Sequence, residues 1–144
     1  MTSTSIGLVA AVAGMATAFQ AAANAGLSSR IGLGAALLVN TAIVLVGTLG
    51  LYFAQGHQGR FFHSSTPWNL YLGGVYGFFI IVSLAFVFPR IGAAVAIALV
   101  VLGQGAAALA IDHFGLMGMP TEPISFSRIA GLLLVGGGIV LTRA

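Results

Sequence analysis

Uninterrupted apolar runs of about twenty residues constrain this chain more than any other feature of its sequence. The run 91–111, for example, contains no charged residue. A run of this length crosses the hydrocarbon core of a bilayer as an α-helix, which satisfies its own backbone hydrogen bonds. Barrel strands would instead alternate apolar and polar residues over about ten positions. The sequence therefore predicts an all-α, polytopic integral membrane protein whose immediate surroundings are the lipid bilayer.

The composition supports the same class, since 59% of the residues are hydrophobic and 5% are charged. A soluble domain carries about 25% charged residues, so this chain could not cover a water-facing surface. The five basic residues are arginines dispersed along the chain, and this dispersal argues against nucleic acid as a partner. The sequence contains no cysteine, which excludes disulfides and thiolate metal sites.

Five transmembrane helices are predicted within a single domain that covers residues 1–144. Their approximate bounds are 6–25, 31–54, 68–88, 91–111 and 129–142. Pro89 and Arg90 are expected to end the third helix, because proline disfavours helix in the preceding residue and has no amide hydrogen. The amino-terminal residues lack the basic region of a secretory signal, so they are interpreted as the start of the first helix. We find no internal repeat at the level of sequence.

The arginines give no clear orientation in the membrane, although topology normally follows the excess of Lys and Arg in cytoplasmic loops. Five helices would place Arg60 and Arg128 on one side with the amino terminus, and Arg30, Arg90 and Arg143 on the other. This balance predicts insertion in both orientations, or pairing with an oppositely oriented partner as in transporters built from inverted repeats. The alternative is that five short loops carry little topological information.

The first helix has two chemically different faces. Gln20, Asn24 and Thr17 share one of them at 100° per residue. Small residues recur every four positions on nearly the opposite face, and such a stripe predicts close helix packing in lipid. The stripe consists of Ala10, Gly14, Ala18, Ala22 and Gly26.

Uncharged polar side chains at membrane depth are the candidate lining of a solute path. Interhelical hydrogen bonds of this kind stabilise a membrane protein by about 0.6–2 kcal/mol, so a packing contact is the favoured explanation for any one of these residues taken alone. The number of amides in two helices favours a solute site for the set as a whole. The candidate residues are Gln20, Asn24, Gln104, Thr17 and Asn40, of which Asn40 fits either role equally.

Asp112 and His113 stand at the end of the fourth helix, near the membrane boundary. A carboxylate at a helix C-terminus is unfavourable against the macrodipole, so Asp112 is expected to pair with Arg128 or His113. The alternative is that Asp112 and His113 couple or gate transport as a proton or cation relay, because histidine titrates near neutral pH. His57 and His63 lie in a loop without a paired ligand set. We therefore predict no metal site, no cofactor and no enzymatic activity.

Several short segments, taken together, point to one family. Gln20 and Asn24 are followed by a short loop and Gly32, and Arg128 precedes a last helix that contains glycines. Four further segments are PWNLYLGG (67–74), PRIG (89–92), ALVVLGQ (98–104) and DHFG (112–115). This combination resembles the YdcZ family, a small-protein branch of the drug/metabolite transporter superfamily. The resemblance covers nearly the whole chain and is most specific in the run 89–115.

The resemblance implies a transporter of the bacterial inner membrane that works as an antiparallel homodimer or as a pair with an oppositely oriented homologue. Small multidrug exporters of similar size use a glutamate in the first helix, which this chain lacks, so proton exchange through a central carboxylate is not expected. An amide-lined site suits a neutral, zwitterionic or hydrogen-bonding small solute. The alternatives are a structural or regulatory membrane subunit without transport and, less favoured, a passive channel, for which no filter-like loop is apparent.

Overall fold

The computed structural model describes residues 3–56, 59 and 61–141, which form five α-helices and, within that part of the chain, no strand. The helices are α1 (Ser3–Ile31), α2 (Leu33–Ala54), α3 (Gly73–Ile91), α4 (Ala93–Phe114) and α5 (Phe126–Leu141). Short 3₁₀ turns precede α3 at Trp68–Leu72 and follow α4 at Leu116–Gly118. Four segments are long and apolar enough to cross a membrane, and α5 is a shorter apolar helix. The predicted all-α membrane fold is confirmed. His57, Arg60, Thr142 and Arg143 lie outside the described residues.

The helices belong to two compact units, one up to Phe88 and one from Pro89 onward. In the first unit α1 packs against α2, and Ala21, Ala25 and Ala36 are buried. In the second unit α4 packs against α5. Alanines at helix contacts let backbones approach closely, which is how helices associate in lipid. The predicted single transmembrane domain stays a prediction.

A single residue, Gly32, joins α1 to α2. Its φ of 87° and ψ of 153° lie in a region that is essentially restricted to glycine. The Gly32 amide donates to the Ser28 carbonyl at 3.0 Å, and the Gly32 carbonyl accepts from the Ala36 amide at 3.1 Å. The predicted end of the first helix at residue 25 is therefore wrong. The polar segment that follows stays helical because the backbone of glycine, and not the polarity of its neighbours, interrupts the helix.

The junction between α3 and α4 has the same construction. Gly92 has a φ of 82° and a ψ of 155°, and its carbonyl accepts from the Ala96 amide at 3.1 Å. Both glycines follow Arg-Ile, and both precede a helix of 22 residues. The alanines four residues beyond them, Ala36 and Ala96, are 0% and 2% exposed. The chain therefore uses one junction conformation twice, and the absence of a longer internal repeat stays a prediction.

The ends of α3 and α4 also differ from the predicted bounds. α3 continues through Pro89 to Ile91, because a proline in the last turn removes only one amide donor and the break occurs at the next glycine. α4 extends past residue 111 to Phe114. It ends where Gly115 adopts a left-handed φ of 58° and its amide bonds the carbonyls at the end of the helix.

Candidate functional site

An amide pair joins α1 to α2. Gln20 Nε2 donates to Asn40 Oδ1 at 3.2 Å. Asn24, one turn further along α1, is 6% exposed and is the one buried polar side chain among the described residues. Gln20 and Asn24 share one face of α1, and Gln20 bonds Asn40 of α2, so we call these three residues the amide cluster. Thr17 lies one turn before Gln20, is half-buried, and donates from its hydroxyl to the Ala13 carbonyl at 2.9 Å.

The amide cluster lies well inside both helices, away from their ends. Gln20 is about 18 Å from Gly32 along α1, and Asn40 is about 12 Å from Gly32 along α2, at a rise of about 1.5 Å per residue. The hydrocarbon core of a bilayer is about 30 Å thick. With Arg30 marking the membrane boundary, the pair therefore lies near the middle of the core. A polar group at that depth is costly unless it is hydrogen-bonded.

The small-residue stripe of α1 does not make the contact with α2. Four of its members are exposed: Ala10, Gly14, Ala22 and Gly26. The buried residues of α1 are Ala21, Asn24 and Ala25, of which Asn24 lies on the amide face and the two alanines lie between that face and the stripe. The prediction that the stripe packs against another helix stays a prediction. Packing the amide side lets the polar groups bond across the helices, whereas exposing alanine and glycine to lipid costs little.

Gln104 lies in α4, in the second unit, and its side chain is exposed. The predicted set of solute-binding residues is therefore divided. Gln20, Asn24, Thr17 and Asn40 come together in the first unit, and Gln104 belongs to the other. Its place in a lining shared with the amide cluster stays a prediction.

An ion pair connects the end of α4 to the start of α5. Arg128 Nη1 donates to Asp112 Oδ2 at 3.2 Å, and the Arg128 and Asp112 side chains are 37% and 40% exposed. Each charge occupies the helix end that the macrodipole disfavours, so the pair offsets both unfavourable placements. The predicted partnership of Asp112 with Arg128 is confirmed.

The segment that follows α4 folds back onto the end of that helix. The Asp112 carbonyl accepts from the Glu122 amide at 2.8 Å, and His113 Nδ1 accepts from the Ile124 amide at 3.4 Å. Ser125 Oγ then accepts from the Arg128 amide at 3.4 Å, which caps the first turn of α5. These bonds hold Asp112 and Arg128 within reach of each other. The role of Asp112 and His113 in coupling or gating stays a prediction.

A groove with a volume of about 300 Å³ lies between α4 and α5, and we call it the α4–α5 groove. Asp112 and Arg128 form its polar end. The remaining lining is small or apolar and consists of Val101, Gly105, Ala108, Leu109, Gly131, Leu132 and Val135. Sequence reasoning missed the groove because it depends on how α4 and α5 align. The available signal was the run of small residues Gly105 and Ala108 facing Gly131.

A second cavity of about 300 Å³ lies between α2 and α3 in the first unit. Thr41 is the one polar side chain among its described lining residues, and Leu37 and Phe78 are among the apolar ones. In the loop before α3, His63 Nδ1 lies 2.7 Å from Ser65 Oγ. The described residues contain no group of three His, Cys, Asp or Glu side chains that could hold a metal ion.

One family model matches the chain over residues 6–141, and its description is "Putative inner membrane exporter, YdcZ". The matched region contains the amide cluster, the two glycine junctions and the α4–α5 groove. No curated protein and no solved structure matches the chain.

Proposed function

The chain belongs to the YdcZ family of inner membrane exporters, and on that premise we propose that it transports a small hydrogen-bonding solute through a site built around the amide cluster. The observation that carries the proposal is the Gln20–Asn40 hydrogen bond at mid-membrane depth, with Asn24 buried beside it. Thr17 extends the same face towards the amino terminus. Gln104, exposed on α4, lines the path in the assembled transporter.

The chemistry of primary amides suits a solute without net charge. A primary amide has two N–H donors and a carbonyl oxygen with two lone pairs. The Gln20–Asn40 bond uses one donor of the first residue and the carbonyl oxygen of the second. A solute that donates and accepts hydrogen bonds can replace this contact, because a neutral hydrogen bond contributes only about 0.5–1.5 kcal/mol net. Neutral and zwitterionic solutes are therefore favoured over ions.

The proposed working unit is an antiparallel pair, either of two copies or of one copy with an oppositely oriented homologue. The balanced arginines support this arrangement because they favour neither orientation. The exposed small residues Ala10, Gly14, Ala22 and Gly26 supply a smooth helix surface on which a second chain would pack. Tagging the carboxyl terminus with reporters active on each side of the membrane tests the pairing. Signals on both sides support it, and a single orientation with no oppositely oriented homologue counts against it.

Asp112 and His113 are proposed to gate this path at the α4 end. The Arg128–Asp112 pair and the His113–Ile124 bond tie α4 to the start of α5. A movement of α5 relative to α4 would break both contacts together. In the proposed gate, the Arg128–Asp112 pair and the His113–Ile124 bond are both formed when the path is closed. Both are broken when α5 moves relative to α4.

Transport by reconstituted protein tests the site. Uptake of a panel of neutral and zwitterionic solutes is measured for the wild type and for Gln20→Ala, Asn40→Ala and Gln104→Ala. Loss of a hydrogen-bonded contact is expected to lower transport of the identified solute about tenfold. Gln55→Ala, an exposed amide at the C-terminal end of α2, is the matched control and transports normally. Normal transport by both Gln20→Ala and Gln104→Ala would refute the site assignment.

The second candidate function is a membrane subunit that transports nothing itself. The Gln20–Asn40 bond favours it in one respect, since this contact joins α1 to α2 and so has a structural role without any solute. Under this proposal Gln20→Leu lowers stability in detergent, and no solute of the panel is taken up. Solute-dependent stabilisation of the wild type that disappears in Gln20→Leu favours the transporter.

A further inference from the structure

We infer that the α4–α5 groove binds one bilayer phospholipid whose head group is a primary-amine zwitterion, with its phosphate at Arg128 and its ammonium at Asp112. The groove is distinct from the amide cluster, because the amide cluster lies in the first unit and the groove lies in the second, although Asp112 and Arg128 also belong to the proposed gate.

The layout of the groove matches that of a lipid. Asp112 stands in the last turn of α4 and Arg128 in the first turn of α5, so the polar end of the groove lies where we expect the membrane boundary. From there the lining runs to Val101 along about 16 Å of α4, and to Val135 along about 10 Å of α5. The lining between these limits is apolar or small. The head group of a lipid at the boundary would contact the charged end of the groove, and its acyl chain would contact the apolar lining along the helices.

The charges favour a zwitterion over a singly charged head group. Arg128 Nη1 and Asp112 Oδ2 are 3.2 Å apart. An anion attracted by the guanidinium is therefore also repelled by the nearby carboxylate, and a cation attracted by the carboxylate is repelled by the guanidinium. A head group that carries both charges is attracted by both residues. A guanidinium has five N–H donors and a carboxylate accepts about four hydrogen bonds, so the Nη1–Oδ2 contact uses a small share of either. Both side chains are more than one-third exposed and therefore accessible.

A primary ammonium is preferred to a trimethylated one for a chemical reason. Its three N–H groups donate to a carboxylate, as those of a lysine do. A quaternary ammonium has no N–H and interacts with Asp112 only as a diffuse charge. Charge-assisted hydrogen bonds are about twice as strong as neutral ones. Asp112 therefore distinguishes phosphatidylethanolamine from phosphatidylcholine.

The glycines give the groove its space. A Cβ atom added at Gly131 would meet nothing within 4 Å, so the volume beside α5 is free for an acyl chain. A Cβ atom at Gly105 would lie 2.7 Å from Leu132 Cδ1, so this leucine packs over Gly105 and forms a wall of the groove. Lipid binding is thus sensitive to side-chain volume at Gly131.

Lipid titration of the delipidated full-length chain in detergent, followed by native mass spectrometry, tests the inference. The probes are phosphatidylethanolamine, phosphatidylcholine and phosphatidylglycerol with identical acyl chains. We expect the first lipid to bind about tenfold more tightly than phosphatidylglycerol, and more tightly than phosphatidylcholine. Equal binding of the three lipids would overturn the inference.

Two pairs of variants locate the site. Asp112→Asn is expected to remove most of the preference for phosphatidylethanolamine, whereas Glu122→Gln, which alters an exposed acid outside the lining, keeps it. Gly131→Leu leaves the ion pair unchanged, fills the groove and weakens binding of the preferred lipid about tenfold. Gly137→Leu, at an exposed glycine of the same helix that does not line the groove, binds lipid as the wild type does.

Circular dichroism confirms that each variant retains the helical content of the wild type. If Gly131→Leu and Gly137→Leu bind lipid equally, the groove is not the lipid site. Gln20→Ala supplies the remaining control, because it is expected to impair transport and leave the lipid preference unchanged. A lipid preference that disappears in Gln20→Ala would contradict the placement of the lipid in the second unit.

Discussion

Replacing Gly32 by alanine tests whether the junction between α1 and α2 depends on the backbone of glycine. With a φ of 87° and a ψ of 153°, this residue occupies a region that costs any other amino acid about 1–3 kcal/mol. A Cβ atom at Gly32 would meet nothing within 4 Å, so steric overlap with neighbours adds nothing to that cost. We therefore expect Gly32→Ala to lower the free energy of unfolding by about 1–3 kcal/mol.

The matched control is Gly47→Ala, in the interior of α2. A Cβ atom at Gly47 also meets nothing within 4 Å, but its backbone is helical. Alanine is favoured over glycine in a helix by about 0.5–1 kcal/mol, so this variant should be slightly more stable than the wild type. Unfolding in mixed detergent, followed by circular dichroism, measures both variants. Because Gly92 has nearly the same φ and ψ, Gly92→Ala should resemble Gly32→Ala.

The reasoning is refuted if Gly32→Ala and Gly47→Ala have the same free energy of unfolding within about 0.5 kcal/mol. It is also refuted if Gly32→Ala destabilises the protein and Gly92→Ala leaves it unchanged, because the two junctions share one conformation. A loss of about 1–3 kcal/mol at both junctions would show that glycine alone sets where these helices are interrupted.

The other predictions concern the contacts that hold α4 to α5 and α1 to α2. Gly115→Ala is expected to lower the free energy of unfolding by more than about 1 kcal/mol, because the φ of Gly115 is 58° and the new Cβ would lie 2.6 Å from Thr121 Oγ1. Adding Thr121→Ala removes that close contact, so the double variant should recover part of the lost free energy of unfolding. A double-mutant cycle with Asp112→Asn and Arg128→Gln should give a coupling free energy of about 0.2–1 kcal/mol that falls as the salt concentration is raised. A coupling free energy that does not change with salt would contradict the partial exposure of this ion pair. A similar cycle on the amide pair between α1 and α2 should give about 0.6 kcal/mol that salt does not change, measured by unfolding in detergent.

The sequence allowed prediction of those features that depend on side-chain polarity. The apolar runs identified the membrane-crossing helices, because only a helix satisfies its backbone in lipid. The pairing of Asp112 with Arg128 was predictable because an acid at the end of a helix needs a partner, and few cations are available. Gln20 and Asn24 were recognised as one polar face because they are one helical turn apart.

Features that depend on backbone conformation or on helix register could not be predicted in the same way. Polar residues before Gly32 and a proline before Gly92 both indicate helix ends, yet each helix continues to its glycine. The small-residue stripe of α1 is compatible with packing against a helix or with exposure to lipid, because placing alanine or glycine in either environment costs little free energy. The α4–α5 groove requires the alignment of Gly105 with Leu132, which no local pattern contains.

The repeated junction helps to separate a transport role of the amide cluster from a packing role. Aligning the two Arg-Ile-Gly segments places Ile80, Leu84 and Val100 at the positions that the amide cluster occupies around the first junction. The φ and ψ of Gly92 nevertheless match those of Gly32, so a junction of this conformation forms without amides around it. Polar groups at mid-membrane depth are costly to place in lipid. Because a junction of this conformation does not require them, the amides of the cluster are available to contact a solute, in addition to the bond they make between α1 and α2.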